Sequence, residues 1–536
     1  MMMGEWAVRD FQAPGRSVVI AGEAAAATSH PLATLAAIET LKAGGMAIDA
    51  AIAAAAVLAV VEPHMTGIGG DCFVLMSVGG SDRIMAYNGA GRAAQAAEAN
   101  WFRKRGIHEI DADSIHAVTV PGCVEAWCRL SQDHGRLGID RLLQPAIHYA
   151  EQGFAVAPRV AQDWAGEAPR LARNAAAARQ YLPNGRAPRA GDRIQLPLLA
   201  KALREIVWKG AAGFYEGWVA DDIVRSLRVE GSLLKAEDLA QHRGEYALPI
   251  KTGYRGLELW ECPPPGQGLT ALMMLNILAQ FPSIGPEPLS VERLHLAVEA
   301  AKLAYQERDR HIADPDHVAV PVDGLLSQRH ARALADQIDP DRALEMKRAR
   351  QLEPHPDTVY LTVVDRDRNA VSFINSIYYG FGSGRATERS GILLQNRGAC
   401  FSLDPGHPNC IAPGKRSMHT IIPAMVTSEG RTVLSFGVMG GDYQPMGQVH
   451  ALTNMVDFGM DTQAALDCPR VHHEEGLLGV ETGVPEDVFL ALSDRGHRVM
   501  RATSPLGGGQ AIAIDWRRGV LLAGSDPRKD GCALGY

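Results

Sequence analysis

A predicted β-hairpin at residues 358–376 constrains the fold of this chain more than any other stretch. Apolar residues alternate with polar or smaller ones in residues 358–364 and again in 370–376, and residues 365–369 between them have turn composition. If the hairpin is symmetric about Asp367, Thr358 lies opposite Ser376. The pattern therefore predicts two hydroxyl groups facing each other at the first residue of a strand.

Thr358 follows residues 339–356, a charged segment without apolar periodicity that indicates an exposed tether. A hydroxyl at such a junction can attack the preceding carbonyl, that of Asp357, and convert the peptide into an ester that water cuts. The product is an N-terminal threonine whose own α-amine can serve as base for its Oγ. The alternative is that Thr358 is an ordinary strand threonine, because Thr-Val-x-Leu runs are common in strands.

A second predicted hairpin, over residues 417–426 and 432–438, ends in Gly440-Gly441-Asp442 before a predicted helix over 444–458. Two glycines at a strand-to-helix junction leave backbone N–H groups free at the positive end of a helix. Such a pair can hold an oxyanion. The alternative interpretation of Gly440 and Gly441 is a tight connection with no chemical role.

Composition excludes several classes of protein. A chain of 536 residues exceeds the size of a single core, so two or three structural layers or two domains are expected. With 53 basic and 61 acidic residues, the chain lacks the excess of basic residues that is typical of nucleic-acid-binding proteins. Its eight cysteines contain no C-x-x-C pair and its 18 histidines no H-E-x-x-H, so neither a disulfide framework nor a metal site is expected.

No membrane segment or export signal is predicted. The longest apolar run, residues 50–61, is too short to span a bilayer and is typical of a buried helix. Residues 1–16 have no apolar core of a signal peptide, so a cytoplasmic location is expected.

The remaining patterns predict a mixture of helices and strands. Two packed helices are expected between His30 and Glu62, and a single helix over 139–152. A helix over 291–310 is expected to be amphipathic, with Glu299 and Lys302 on its exposed side. Residues 390–396 are expected to form a strand.

Taken in order along the chain, these and further motifs resemble the γ-glutamyltransferases, N-terminal-nucleophile hydrolases made as one inactive chain that cuts itself in two. The resemblance is carried by LKAGG (41–45), AIDAA (47–51), EPH (62–64), GIGG (67–70), VPG (120–122), VVD (363–365), GFGSG (380–384), GKR (414–416) and SDPR (525–528). An ordered set of this length is far more specific than any single motif.

The resemblance implies an α+β fold, a four-layer αββα sandwich of the N-terminal-nucleophile (Ntn) hydrolase type. Cleavage between Asp357 and Thr358 would give a large chain, 1–357, and a small chain, 358–536, which form a heterodimer and could pair further. The resemblance also implies Thr358 as nucleophile, Ser376 as its hydrogen-bonding partner and Gly440 and Gly441 as oxyanion glycines. No cofactor and no metal would be required, and no nucleic acid or membrane partner is implied.

The substrate pocket departs from the family pattern. The family has an arginine that binds the γ-glutamyl α-carboxylate; this chain has Gly89 at that position, and Arg92 follows three residues later. Tyr378 replaces an asparagine, Arg397 a glutamine and Cys400 an aspartate. His419-Thr420 replaces a pair of serines. Loss of the aspartate removes the acceptor for a substrate ammonium group. Arg397 instead offers a fork for a carboxylate.

We therefore expect an autoprocessing amidohydrolase that acts on a small-molecule amide of a small carboxylic acid, such as oxamate. Residues 440–445 resemble a divergent branch of the family with this kind of activity. Three alternatives remain: a γ-glutamyltransferase or glutathione hydrolase, a glutaryl-type acylase, and an unprocessed, non-catalytic binding protein.

Overall fold

The structure is a computed structural model that describes residues 11–12, 15–345, 358–474 and 476–536. Over these residues, two seven-stranded sheets pack face to face and helices cover both outer surfaces. This is the α+β, four-layer αββα sandwich expected from the sequence. Within the described ranges, no helix combines the length and the apolar character needed to cross a membrane.

The described strands are β1 (Val19–Ala21), β2 (Ala25–Thr28), β3 (Asp71–Ser77), β4 (Ile84–Gly89), β5 (Phe154–Ala155), β6 (Arg193–Ile194), β7 (Glu245–Ala247), β8 (Ile250–Tyr254), β9 (Leu257–Glu261), β10 (Val359–Val364), β11 (Ala370–Ser376), β12 (Ala424–Ser428), β13 (Arg431–Met439), β14 (Val471–Glu474), β15 (Leu477–Val480), β16 (Val499–Arg501), β17 (Gly508–Asp515), β18 (Val520–Ser525) and β19 (Cys532–Gly535).

The described helices are α1 (Pro31–Lys42), α2 (Ala47–Val61), α3 (Ala99–Arg103), α4 (Cys123–His134), α5 (Ile139–Leu142), α6 (Gln144–Gln152), α7 (Pro158–Leu171), α8 (Ala175–Tyr181), α9 (Pro197–Lys209), α10 (Ala212–Tyr215), α11 (Gly217–Arg228), α12 (Ala236–Ala240), α13 (Gly268–Leu278), α14 (Val291–His311), α15 (Val322–Leu325), α16 (Gln328–Ala335), α17 (Gln444–Val456), α18 (Thr462–Asp467) and α19 (Glu486–Asp494).

The two sheets mix strands from both sides of residue 358. The first has the order β1-β18-β17-β13-β12-β9-β8, and the second has the order β19-β2-β10-β11-β3-β4-β7. All neighbouring strands in both are antiparallel. In the second sheet, β10 and β11 are central and lie between β2 and β3, so strands that follow residue 358 are hydrogen-bonded to strands that precede it.

Apolar helices close the two outer faces. Every residue of α2 is buried, and α2 packs against β10 and β11 of the second sheet. On the opposite face α13, also buried along its whole length, and α17 cover the first sheet. The apolar run 50–61 is thus a buried helix, as predicted, because a helix that is apolar on all sides requires burial on all sides.

The hairpin has the predicted register. Val359 pairs with Asn375 and Val364 pairs with Ala370, and extending this ladder by one residue sets Thr358 opposite Ser376. The period-two pattern therefore predicted both the pairing and the faces of the strands correctly. Asp357 and residues 346–356 of the predicted tether lie outside the described residues.

Two predicted elements were wrong in detail. Residues 139–152 form two helices, α5 and α6, instead of one. The break falls beside Pro145, which lacks an N–H and crowds the preceding turn. Residues 390–396 form no strand: only isolated bridges occur, from Leu393 to Ala386 and from Leu394 to Gly69. Gly391 has a φ of 68°, which interrupts an extended run.

The prediction that Glu299 and Lys302 are exposed was also wrong. Their side chains are 0% and 3% exposed, and Lys302 Nζ donates to Glu299 Oε1 at 2.7 Å. Both side chains also bind the backbone of Leu344. Lys302 Nζ donates to the Leu344 carbonyl at 3.1 Å, and the Leu344 N–H donates to Glu299 Oε2 at 2.8 Å. The first residues of the predicted tether therefore cover this face of α14, which periodicity alone does not reveal.

Candidate active site

Thr358 and Ser376 form a buried pair of hydroxyl groups between the ends of β10 and β11. Both residues are fully buried, and Thr358 Oγ1 lies 3.1 Å from Ser376 Oγ. Ser376 Oγ accepts hydrogen bonds from Tyr378 N at 2.9 Å and from Arg397 Nη2 at 3.2 Å. Two donors therefore converge on Ser376 Oγ, and either hydroxyl of the Thr358–Ser376 pair can donate to the other.

Arg397 is a buried cation that forms an ion pair with no carboxylate of the described residues. Its side chain is 0% exposed, and Nη1 donates to Thr420 Oγ1 at 2.8 Å. Its guanidinium carbon lies 4.3 Å from the centre of the Tyr378 ring, a cation–π contact. Nε has no hydrogen-bond partner, and in the described part of the chain no carboxylate forms an ion pair with this guanidinium. The Arg397 guanidinium can therefore still pair with an anion, and its Nε can still donate a hydrogen bond.

Tyr378 is held in a strained backbone conformation beside this cation. Its φ of 80° lies in the left-handed region, which costs a bulky residue roughly 1–3 kcal/mol. The bond from its N–H to Ser376 and the stacking of its ring on Arg397 hold it there. Burial raises the pKa of the adjacent Cys400 thiol, which contacts both Tyr378 and Arg397. Cys400 is therefore a neutral group in this pocket.

Gly440 and Gly441 form a tight turn between β13 and α17. Their φ values are 125° and 54°, conformations that favour glycine. The Gly440 carbonyl accepts a hydrogen bond from Tyr443 N at 3.0 Å. The amide N–H groups of both glycines donate to no residue that the structure describes. Gln444, the first residue of α17, reaches back with Nε2 to 3.5 Å from Thr358 Oγ1, so the turn lies beside that hydroxyl.

His419 faces away from Arg397 and supports the segment that carries Thr420. Its Nε2 lies 2.8 Å from Asp71 Oδ2 and its Nδ1 2.7 Å from the Ser417 carbonyl. The imidazole is fully buried against Phe73, and burial lowers the pKa of His419. Of the two predicted substrate-binding residues in this pair, only Thr420 contacts Arg397.

Arg92 is not brought into this group. Its guanidinium donates to the Gly414 carbonyl at 3.1 Å and to Asp316 Oδ2 at 3.0 Å, and lies 3.7 Å from Asp314. Two carboxylates already neutralise its charge. The structure therefore joins Thr358, Ser376, Tyr378, Arg397 and Thr420 by direct contacts, and leaves Arg92 outside them.

Comparison with known proteins decides the family. A sequence profile described as gamma-glutamyltranspeptidase matches residues 33–536. The chain belongs to the γ-glutamyltranspeptidase family. The resemblance inferred from the motifs is thus confirmed.

Several relatives in this family cover nearly the whole chain. A glutathione hydrolase-like YwrD proenzyme of Bacillus subtilis (strain 168) is 39% identical over 94% of this chain and 97% of its own length. An oxamate amidohydrolase proenzyme of Klebsiella pneumoniae is 36% identical, covering 95% and 98% respectively. A crystal structure of a cephalosporin acylase from Bacillus halodurans matches with a TM-score of 0.92 and 39% identity over 99% of each chain.

These relatives establish the Ntn-hydrolase fold and the general activity. The chain is an autoprocessing amidohydrolase of the γ-glutamyltranspeptidase family, an enzyme that acts on amide C–N bonds. Family members are made as proenzymes that are processed into large and small chains, which is consistent with a heterodimer.

Sequence reasoning missed two glutamines around the family's nucleophile position. Gln444 contacts Thr358 Oγ1 and accepts from Ile422 N at 3.0 Å. Gln267, which is fully buried, donates to the Gly441 carbonyl at 3.0 Å. Their partners lie 22 to 174 residues away in sequence, so no local pattern signals them.

Glu261 is a second buried group that sequence reasoning missed. It lies at the end of β9, and among the described residues neither of its buried carboxyl oxygens has a hydrogen-bond partner, nor does Oε1 of the neighbouring Gln448. Burial raises the pKa of Glu261 well above its ordinary range. A protonated Glu261 can donate to Gln448 Oε1, which would satisfy both groups.

One cluster has residue types that could hold a metal ion. His295, Glu299 and His497 are buried, and their ligand atoms lie within 4.8 Å of one another. His295 Nδ1 is already hydrogen-bonded to His497 Nε2 at 2.8 Å, and Glu299 is bound by the Lys302 ammonium. A cation placed there would meet the charge of Lys302, so the contacts described account for the cluster without an ion.

Proposed function

We propose that this enzyme hydrolyses amides of small carboxylic acids that carry a second, free carboxylate, with Thr358 as the nucleophile. Cleavage of the Asp357–Thr358 bond would release the large chain, 1–357, and the small chain, 358–536, as a heterodimer. The observation that carries the choice of substrate is the fully buried guanidinium of Arg397, which pairs with no carboxylate in the part of the chain that the structure describes.

A buried charge without a counter-ion is costly, by several kcal/mol for an ion withdrawn from water. The hydroxyl groups of Ser376 and Thr420 and the face of Tyr378 offset part of this cost, but none of them carries a negative charge. A substrate carboxylate would supply the missing charge and a partner for Nε. Ser376 contacts both Arg397 and Thr358, so the carboxylate would bind close to the bond that is cut.

The contacts support a two-step acyl transfer. Thr358 Oγ would attack the amide carbon while its proton passes to the free α-amine of the same residue, and the amine product would leave with a proton. Water would then attack the resulting ester and release the acid. Ser376, by donating to Thr358 Oγ1, would leave the threonine's own hydrogen directed at its base.

Gly440 and Gly441 would stabilise the oxyanion of each tetrahedral intermediate. Their unpaired N–H groups and positive φ values suit such a site. Preorganised donors of this kind contribute roughly 3–4 kcal/mol to transition-state stabilisation in acyl transfer.

A γ-glutamyl substrate fits the contacts less well. It brings an ammonium group, and the neutral thiol of Cys400 cannot pair with it. Asp442 is nearby but is already bound by Arg308. We therefore rank glutathione hydrolysis below hydrolysis of an amide such as oxamate.

A glutaryl-type acylase is the second candidate. The similarity to a cephalosporin acylase over nearly the whole chain favours it, as does the acylase from a Pseudomonas species that is 33% identical. Glutaryl amides and oxamate share one feature: a free carboxylate on the acyl side of the amide. Both therefore meet the requirement set by Arg397.

Electrophoresis and mass spectrometry test the nucleophile. Wild type should give two chains that meet between residues 357 and 358, whereas Thr358→Ala should remain one chain of 57.6 kDa without amidase activity. Thr358→Ser should still cut itself. A neighbouring hydroxyl, Thr362→Ala, is the matched control. Self-cleavage and turnover by Thr358→Ala would refute the proposal.

Three amides test the substrate: oxamate, glutaryl p-nitroanilide and γ-glutamyl p-nitroanilide. We expect kcat/KM to be highest for one of the first two and lowest for the third. A preference for the γ-glutamyl compound would contradict the argument that Cys400 cannot pair with a substrate ammonium group. A cytoplasmic location also stays a proposal, and fractionation of the source cells would test it.

A further inference from the structure

Gln267 connects the turn at Gly440 and Gly441 to a second segment of the site. Its side chain is fully buried at the start of α13. Nε2 donates to the carbonyl oxygens of Gly441 at 3.0 Å and of Thr420 at 2.8 Å. Its backbone N–H donates to the His419 carbonyl at 2.9 Å. A single residue thus fixes the turn relative to the segment that binds Arg397.

Helix α14 holds the rest of the turn. Arg308 Nη1 donates to Gln267 Oε1 at 2.8 Å and also pairs with the Asp442 carboxylate. The Tyr305 hydroxyl donates to the Asp442 carbonyl. Gln267, Tyr305 and Arg308 all precede residue 358, whereas the turn follows it. Three side chains of the proposed large chain therefore contact a turn of the proposed small chain.

The geometry of the peptide unit makes these contacts matter for the N–H groups. A trans peptide is planar, so a carbonyl held on one side sets the direction of the N–H on the other. Tyr443 N holds the Gly440 carbonyl and thereby directs the N–H of Gly441. Gln267 holds the next carbonyl, that of Gly441, whose peptide carries the N–H of Asp442; it therefore restrains the ψ angle of Gly441 and does not direct an oxyanion N–H itself. Glycine has the most freedom to leave such a conformation, and Gln267 restricts it.

We infer that Gln267 is a positioning residue for the oxyanion turn, supplied to the small chain by the large chain. The inference rests on the role proposed above for Gly440 and Gly441. Gln267 acts through the Gly441 carbonyl and has no described contact with Thr358. Because an oxyanion forms only along the reaction path, loss of this restraint lowers kcat and leaves KM nearly unchanged.

Two substitutions separate the contacts of Gln267. Gln267→Met removes all of its side-chain hydrogen bonds, and Gln267→Glu keeps an acceptor for Arg308 but loses both donations. We expect each to lower kcat by about 10²-fold, the effect of a small misplacement of catalytic groups. Gln280→Met, just beyond the end of the same helix, is the matched control and should keep wild-type kcat. Wild-type kcat in both Gln267 variants would refute the inference, and so would wild-type kcat in Gln267→Glu alone.

Amide hydrogen exchange provides a readout that does not depend on turnover. In Gln267→Met, peptides that cover residues 439–444 should exchange faster than in wild type, with no change in Gln280→Met. Unchanged exchange would overturn the inference. If the wild-type protein hydrolysed none of the three amides, the proposed substrate class would fail, and exchange alone would decide the role of Gln267.

Discussion

Replacement of Arg397 by glutamine tests whether its charge recognises the substrate. The guanidinium is fully buried and its Nε has no partner, so a substrate carboxylate would meet it away from water. Loss of one partner of a buried charge pair costs roughly 2–5 kcal/mol. A middle value of about 3 kcal/mol corresponds to a fall of about 10²-fold in kcat/KM, since about 1.4 kcal/mol is tenfold.

The assay compares amides that differ only in the substrate carboxylate. Glutaryl p-nitroanilide is paired with butyryl p-nitroanilide, and oxamate with acetamide. In wild type, the charged member of each pair should be preferred. In Arg397→Gln that preference should disappear, because the substitution should lower kcat/KM for the charged member and affect the uncharged one much less. Arg397→Lys keeps the charge but not the fork, so an intermediate loss is expected.

One result would refute this reasoning. Arg397 also donates to Ser376 Oγ, which contacts Thr358. If Arg397→Gln lowered kcat/KM equally for charged and uncharged amides, its effect would pass through Ser376 and not through the substrate. Each variant should first be shown to have cut itself, because an unprocessed chain would give the same loss for a different reason.

Three further predictions follow from the buried groups. Ser376→Ala should slow both self-cleavage and turnover by at least about tenfold, because a positioned hydrogen bond to the nucleophile is lost. Ser376→Thr should retain more of both activities. Equal rates in wild type and Ser376→Ala would contradict this prediction. Burial raises the pKa of Glu261 above its ordinary 4.5. The free energy of unfolding of wild type, relative to Glu261→Gln, should therefore fall as pH rises from 4.5, by about 1.4 kcal/mol per pH unit. A difference in thermal midpoint between the two proteins that is the same at pH 5 and pH 8 would contradict this prediction. Lys302→Met leaves the buried Glu299 carboxylate without its ammonium partner and should cost about 3–5 kcal/mol. The double variant Lys302→Met with Glu299→Leu should recover much of this loss. An equal thermal midpoint for the single and double variants would refute the pairing.

Strand alternation was enough to predict the core of the candidate site. Thr358 and Ser376 lie on one hairpin, where a period of two and a symmetric turn determine which residues face each other. The turn at Gly440 and Gly441 was also predictable, because glycines mark the backbone conformations that other residues avoid. In both cases the information is local in sequence.

The rest of the site depends on contacts between distant segments. The sequence position of Arg397 was enough to propose it as a donor to a carboxylate. That no carboxylate of the described residues pairs with it becomes visible only in the fold. The clamp made by Gln267 spans 153 and 174 residues of sequence. The contacts of Arg92 could not be predicted for the same reason, since Asp314 and Asp316 lie more than 200 residues away from it in sequence.

The order of strands in the two sheets has a consequence for the fate of the processed protein. A cut before Thr358 would leave β10, β11 and β19 hydrogen-bonded to β2 and β3, and β12 to β9. Each sheet would contain strands from both fragments, so the two fragments could not dissociate under native conditions. They should melt together in a single transition, and the fragment 358–536 produced alone should fail to fold.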